Sequence, residues 1–223
     1  MGYNHVTPED IFRNEEVRCY IQRGNDCLGA IGYTEHGFAH AKKSSDTARE
    51  ILAALGYPQR DCELAEIAGF LHDIGNVINR VDHAQSGAVM AFRILDEMGF
   101  SAEETSTIIT AIGNHDEGTA FPVNPVAAAL ILADKCDVRR TRVRNKDTQN
   151  FDIHDRVNYA VGRASVKVNE EKTEIALRLE IDTSVCSVTD YFEIFIGRMI
   201  LCRKAAEKLG LKFVLRINGQ KLM

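Results

Sequence analysis

The 223-residue sequence has no run of about 18 or more apolar residues, so it offers no candidate transmembrane helix. Where a signal peptide would need an apolar stretch it carries Glu9, Asp10 and Arg13, and a cytoplasmic protein is expected. None of the six cysteines (Cys19, Cys27, Cys62, Cys136, Cys186 and Cys202) stands in a CxxC pair, which excludes a structural zinc ribbon and a redox dithiol. They read as reduced, mostly packed thiols. Basic charge is not in excess: the formal net charge is −5, so nonspecific binding to a nucleic-acid backbone is not expected, nor is a membrane partner. The local exception is the run Arg139, Arg140, Arg142, Arg144 and Lys146. There is no internal repeat or low-complexity segment.

An apolar fraction of 45% over this length is enough for one globular domain, or one with a small appendage. The first two thirds read as helices. Residues 10 to about 23 are helical by periodicity, ending near Gly24. His40, Ser44, Thr47, Ala48, Ile51 and Leu55 then share one helical face, with Gly56 and Pro58 as stop signals. Asp61 reads as the N-cap of a helix ending at His72-Asp73, with Gly75 as a left-handed residue after it. Asp82 with Gln85, and Ser101 with Glu104, resemble capping boxes. Asn124-Pro125 pairs an N-cap with a proline at the first helical position. A five- or six-helix bundle is expected over residues 1–158.

The period changes after about Asn158. Residues 166–168 and 175–181 alternate around the polar turn 169–172, a helical stripe runs from Phe192 to Leu209, and residues 211–217 alternate again. The expected fold class is therefore mainly α, with a small C-terminal α+β appendage (strand, strand, helix, strand) over residues 159–223. That appendage could also mediate a homodimer.

Five polar residues, His40, His72, Asp73, His115 and Asp134, sit on helix-patterned, largely apolar segments. A desolvated carboxylate there is costly unless it is paired or coordinated, so Asp134, after the apolar run 127–133, needs a cation. Imidazole and carboxylate without thiolate suit a catalytic ion: iron, manganese, cobalt or nickel, with magnesium and zinc as further candidates. His40, His72, Asp73 and Asp134 can hold one ion and leave positions for water or substrate. His83 and His115 can hold a second, with Asp73 reaching both. Two ions roughly 3.5–4 Å apart clamp a phosphoryl group and acidify a bridging water. His36, one turn before His40, is its rival as a ligand. Asp137 would support the ligands from behind, Arg139 and Arg140 would bind substrate phosphate, and Asp116 or Glu117 would donate a proton to the leaving group. His5 and His154 read as surface residues.

His40, then 71-Leu-His-Asp-Ile-Gly-75, then 133-Ala-Asp-Lys-135, resembles the H…HD…D pattern of the HD superfamily of metal-dependent phosphohydrolases. The stretches around His83 and His115 are similar to the extra histidines of binuclear members, such as the symmetrical diadenosine tetraphosphate hydrolases. The likeness covers roughly residues 34–140. It implies an HD-type helical bundle with His72 and Asp73 at the catalytic centre. The expected substrate is a small phosphorylated molecule, most simply a nucleotide. The chain departs from the cyclic-di-GMP phosphodiesterases of the HD-GYP group, since 114-Asn-His-Asp-Glu-Gly-118 contains no GYP segment. Two other readings stay open: a di-iron oxygenase on the same fold, which would consume oxygen, and a noncatalytic nucleotide sensor, which would bind without turnover.

Overall fold

The computed structural model describes residues 6–223, so His5 lies outside the described residues. The single N-terminal helix expected over residues 10–23 is two helices, α1 (Pro8–Arg13) and α2 (Glu15–Ala30). Asn14 divides them. Its backbone is extended, and its Oδ1 accepts from the N–H groups of Glu16 and Val17, which makes it a strong N-cap. Gly24 does not stop α2. A Cβ there would lie 3.2 Å from Val77 N, so this glycine is a packing contact within the helix.

Helix α3 (Phe38–Leu55) ends at the stop signal Gly56, whose φ of 89° makes it a left-handed cap. Helix α4 (Gln59–Leu71) begins three residues earlier than an N-cap at Asp61 would place it. Pro58 holds the N-cap position, and Asp61 sits in the first turn, where its charge favours the helix N-terminus. Gly75 is not left-handed. It lies in a 3-10 turn (Ile74–Val77) against the start of α5 (His83–Glu97), where a Cβ would overlap the His83 carbonyl oxygen. Asp82 occupies the N-cap position of α5 but has φ of 57° and makes no side-chain cap bond. The expected partner Gln85 instead donates to Gly113 O and Thr119 Oγ1. Ser101 does cap α6 (Ala102–Gly113), but Glu104 turns to Arg60 rather than closing the box. Helix α7 (Pro125–Lys135) begins as expected, with Asn124 Oδ1 accepting from Ala127 N–H at 2.7 Å.

Helix α7 is the axis of the bundle. Every residue from Val126 to Ala133 is buried, as an all-round apolar helix requires, and α7 packs against α3, α4, α6 and α9 (Val188–Lys208). Among the described residues eight helices precede the first strand, more than the five or six expected. The excess comes from the break at Asn14 and from α8 (Ile153–Ala160), capped by Asp152.

The C-terminal segment folds as strand, strand, helix, strand, as its alternation implied. Strands β1 (Val161–Val168) and β2 (Glu174–Ile181) form an antiparallel hairpin. Strand β3 (Lys212–Ile217) runs parallel to β2 after the α9 crossover, and a short β4 (Gln220–Lys221), not anticipated, pairs with β3. The sheet order is β1-β2-β3-β4. The fold is mainly α with a small C-terminal sheet, and one buried apolar cluster runs from the bundle through α9 into the sheet. Among the described residues no helix is long and apolar enough to cross a membrane.

Helices α3 and α4 touch backbone to backbone at Gly69, where a Cβ would lie 2.7 Å from Ser45 Cα. Such overpacking typically costs about 1–3 kcal/mol, so Gly69→Ala should lower the urea midpoint accordingly at an unchanged m-value. An unshifted midpoint would show that the helices can part freely.

Candidate metal centre

Five elements deliver six side chains to one buried place. His40 stands in the first turn of α3, and His72 and Asp73 follow the end of α4. His83 opens α5, His115 follows α6, and Asp134 stands near the end of α7. The four histidines are each at most 2% exposed.

The ring orientations share one cause. Nδ1 of His72, His83 and His115 contacts the carbonyl oxygens of Gly69, Arg80 and Ile112 at 2.8, 3.0 and 2.6 Å. Nδ1 of His40 contacts Asp137 Oδ2 at 2.8 Å. A carbonyl or carboxylate oxygen can only accept, so each Nδ1 carries a proton and each Nε2 turns inward. The Nε2 atoms of His40 and His72 approach to 3.2 Å, as do those of His83 and His115. Asp134 Oδ1 lies 3.2 Å from His40 Nε2 and 3.7 Å from His72 Nε2.

Asp73 joins the two histidine pairs. Its Oδ2 lies 3.4 Å from His72 Nε2 and 3.6 Å from His40 Nε2, and its Oδ1 lies 3.4 Å from His83 Nε2. Asn76 fixes the carboxylate by donating to Oδ1 at 2.8 Å. Oδ2 is buried without a hydrogen-bond partner, a costly state that a cation would relieve. Two neighbouring donors about 2.1 Å from a common ion stand about 3 Å apart, close to the separations seen here. His40, His72 and Asp134 form one candidate ligand group, and His72, Asp73 and His115 another. His83 adjoins the second through His115 and Asp73.

Electrostatics match this arrangement. Burial opposes ionisation of Asp73 and Asp134, but the facing His72 and Lys135 outweigh it and hold both carboxyls well below their usual range. Burial likewise disfavours the His72 imidazolium, yet Asp73 and Asp134 raise its pKa. An ion binding here would compete with a proton for His72 Nε2. His115 is held well below its usual value, first by burial and then by the charges of His72 and Lys135. Burial also lowers His83.

Several neighbours depart from expectation. Arg139 and Arg140 do not face the cluster. Helix α7 ends at Lys135 and the chain becomes extended at Arg139, which carries both arginines away. Arg139 Nε donates to Asp137 Oδ1 at 2.8 Å, and Arg140 donates to Tyr159 O. The arginines that border the cluster are Arg80, Arg142 and Arg198. Glu117 is unsuited to give up a proton near neutrality: despite burial, Lys135 and Arg198 bring it down to about 2. Asp116 lies 3.9 Å from His83 Nε2. His36 is not excluded from the site by His40, because both border it, with ring centres 5.5 Å apart. Lys135, only 4% exposed, pairs with Asp134 Oδ2 at 2.7 Å, so part of the charge compensation required by Asp134 comes from its neighbour. Asp137 supports His40, and His154 is exposed.

A helical domain whose histidines and aspartates converge from the ends of successive helices has the donor set of a metal-binding scaffold. Residues 37–139 match the HD domain model. It is 26% identical over 195 residues to the uncharacterized protein MJ1020 of Methanocaldococcus jannaschii, covering 77% of this chain and 74% of the other. It is also 28% identical over 119 residues to ribonuclease Y of Enterococcus faecalis and 27% identical over 119 residues to that of Bacillus subtilis. Those alignments take in 53% of this chain but only 21% of each ribonuclease Y. Among solved structures, a predicted HD superfamily hydrolase from an uncultured Thermotogales bacterium is 25% identical, with a TM-score of 0.45 over 56% of this chain and 67% of that one.

Elemental analysis after loading with manganese should find two ions per chain in wild type and one in His115→Ala; two ions retained in the variant would remove His115 from the ligand set. Glu117 supplies a pH signature. Its folded pKa of about 2 lies below the unfolded 4.5, so its pairing stabilises the protein above 4.5 and is lost as pH falls through 2. Between pH 4.5 and 2 the unfolding free energy should therefore fall more steeply for wild type than for Glu117→Gln, as read by urea titration. Parallel profiles would mean that the Lys135 and Arg198 contacts carry no linkage.

Proposed function

We propose that this protein is a metal-dependent phosphohydrolase that cleaves a phosphoester or phosphoanhydride of a nucleotide or other small phosphorylated metabolite. The observation that carries this reading is the cavity beside the cluster. A space of about 320 Å³ shares His36, Arg80, Arg142 and Arg198 with the small recess at the histidines. That volume is at the lower end for small-molecule sites and suits a ligand the size of a mononucleotide. Three guanidinium groups at its inner end suit phosphate, which they bind in bidentate fashion.

The residues divide the work. Arg142 is held rigid, with Nε donating to Glu35 O and Nη1 to Asp137 O, both at 2.9 Å. Arg198, stacked over the Phe195 ring at 4.5 Å, comes from α9 and closes the cavity from the C-terminal side. Tyr33 and Phe195 give the wall apolar surface, while Asn158 and Asp155 offer hydrogen-bonding partners away from the arginines. His36 is kept well below its usual pKa by burial and by Arg142, so it is a neutral group at the cavity wall. A divalent ion held by His40, His72, Asp73 and Asp134, with His83 and His115 for a second, would supply an acidified water and neutralise charge developing on phosphate oxygens. The name of ribonuclease Y shows that a related domain occurs in a phosphodiester-cleaving protein, which supports phosphate-bond hydrolysis and puts an RNA oligonucleotide among the substrates to be tried.

The test is a screen of manganese- or iron-loaded protein against nucleotides, dinucleoside polyphosphates, phosphomonoesters and an RNA oligonucleotide. Hydrolysis should appear in wild type and vanish in Asp73→Asn. Loss of a charged hydrogen bond costs about 1.5–3 kcal/mol, so Arg198→Ala should raise KM at least tenfold while kcat changes less. No turnover of any substrate, with oxygen uptake by the iron form, would sink the proposal in favour of oxidative chemistry.

A further inference from the structure

A second cavity, of about 310 Å³, shares Asp137 with the metal-centre surroundings but none of the six converging side chains. It lies between α3, the segment after α7 and strand β1. Its charged lining is Lys43, Arg139, Arg140 and Arg163 against the single carboxylate of Asp137. Asp137 is already committed, accepting from His40 Nδ1 and Arg139 Nε, with Arg142 Nη1 at 3.8 Å. Asp137 is matched to Arg139, so Lys43, Arg140 and Arg163 face this recess with no carboxylate lining it to match them.

The basic groups are held for use. Arg140 is fixed by neutral partners, donating to Tyr159 O at 2.6 Å and lying over the Tyr159 ring at 4.5 Å, and Asp182 reaches it only through a weak electrostatic contact. Arg139 is fixed by Asp137 and by Thr141 Oγ1, at 2.8 and 2.7 Å. Arg163 pairs with Glu180 only at 3.9 Å between exposed side chains, an interaction worth little. It reaches the recess through an irregularity in β1: Val161 pairs with Ile181 and Arg163 with Glu180, leaving Gly162 as an extra residue that re-aims the strand. The hydroxyls of Thr141 and Ser165 add neutral donors.

We propose that this recess is a second binding site, distinct from the cavity at the metal centre, for a small molecule carrying two or more phosphate groups. Two pre-positioned guanidinium planes, two further cations and neutral donors are what such a ligand requires, and one committed carboxylate does not oppose it. The site does not depend on the hydrolytic reading, because none of its cations borders the histidine cluster.

The test is calorimetric titration of the full chain with inorganic pyrophosphate in the presence of a chelator, which keeps the metal centre out of the measurement. Wild type should bind, Lys43→Ala/Arg140→Ala should bind at least tenfold more weakly, and Arg80→Ala/Arg198→Ala should bind within about twofold of wild type. Lys43→Ala/Arg163→Ala, which spares the Tyr159 contact, should also weaken binding and guards against misfolding of the first variant. Absence of binding at millimolar pyrophosphate would overturn the proposal. So would loss confined to the Arg80/Arg198 variant, which would place the anion at the metal-centre cavity. Equal loss in all variants would mean diffuse attraction and also defeat it, as would displacement of pyrophosphate by a single-stranded RNA oligonucleotide.

Discussion

Imidazole nitrogens and carboxylate oxygens that face one another out of water repel unless positive charge lies among them. The rest of the molecule is arranged around that requirement. Backbone carbonyls behind His72, His83 and His115, and Asp137 behind His40, hold the rings by their outer nitrogens and leave no choice about where the inner ones point. Lys135 takes one oxygen of Asp134, and Asn76 takes one oxygen of Asp73, so each carboxylate keeps its other oxygen for the centre. Helix α7 can carry Asp134 into the core only because the seven residues before it are apolar on every side and seal it from solvent. The helix ends are the useful places for this chemistry, since chain direction changes there and several side chains can point at one spot.

The segments that complete the cavity beside the cluster lie largely outside the stretch that matches the HD domain. Tyr33 and Thr34 precede it, and Asn158, Phe195 and Arg198 follow it. The shared part of the chain thus supplies the cluster, and the flanking parts supply much of the wall that a substrate would meet. The alignments with the ribonuclease Y proteins take in 53% of this chain and about a fifth of their length.

The ligand pattern was legible in sequence because a histidine or aspartate within an apolar helical run is expensive, and the run announces the expense. The same logic located α3, α7, the hairpin and α9. Local cap chemistry was less reliable. Asp82 and Gln85 have the spacing of a capping box, but α5 is positioned by its contact with the 74–77 turn, and tertiary packing overrode the local signal. Arg139 and Arg140 follow Asp134 closely in sequence but not in space, because α7 stops at Lys135 and the chain is extended at Arg139. Arg142 belongs to the basic run visible in the sequence and Arg80 lies three residues before His83, whereas Arg198 comes close to the cluster only through a chain crossing that no local window contains. Lys135 carried one usable signal, its position directly after a carboxylate that needed a cation.

Gly75 has a consequence for what the centre can accommodate. It lies immediately after Asp73-Ile74, and its missing side chain lets the backbone at His83 rest directly on the turn. The spacing between the His40/His72 half and the His83/His115 half is therefore gauged by main chain against main chain. Side-chain torsions can tilt the imidazoles to suit ions of different radius, but they cannot spread the halves apart. A large ion would have to give up a protein ligand in exchange for solvent, whereas a small one could keep its full set. Ion selectivity in this molecule would then be dimensional as much as chemical, and the ruler is a residue with no side chain.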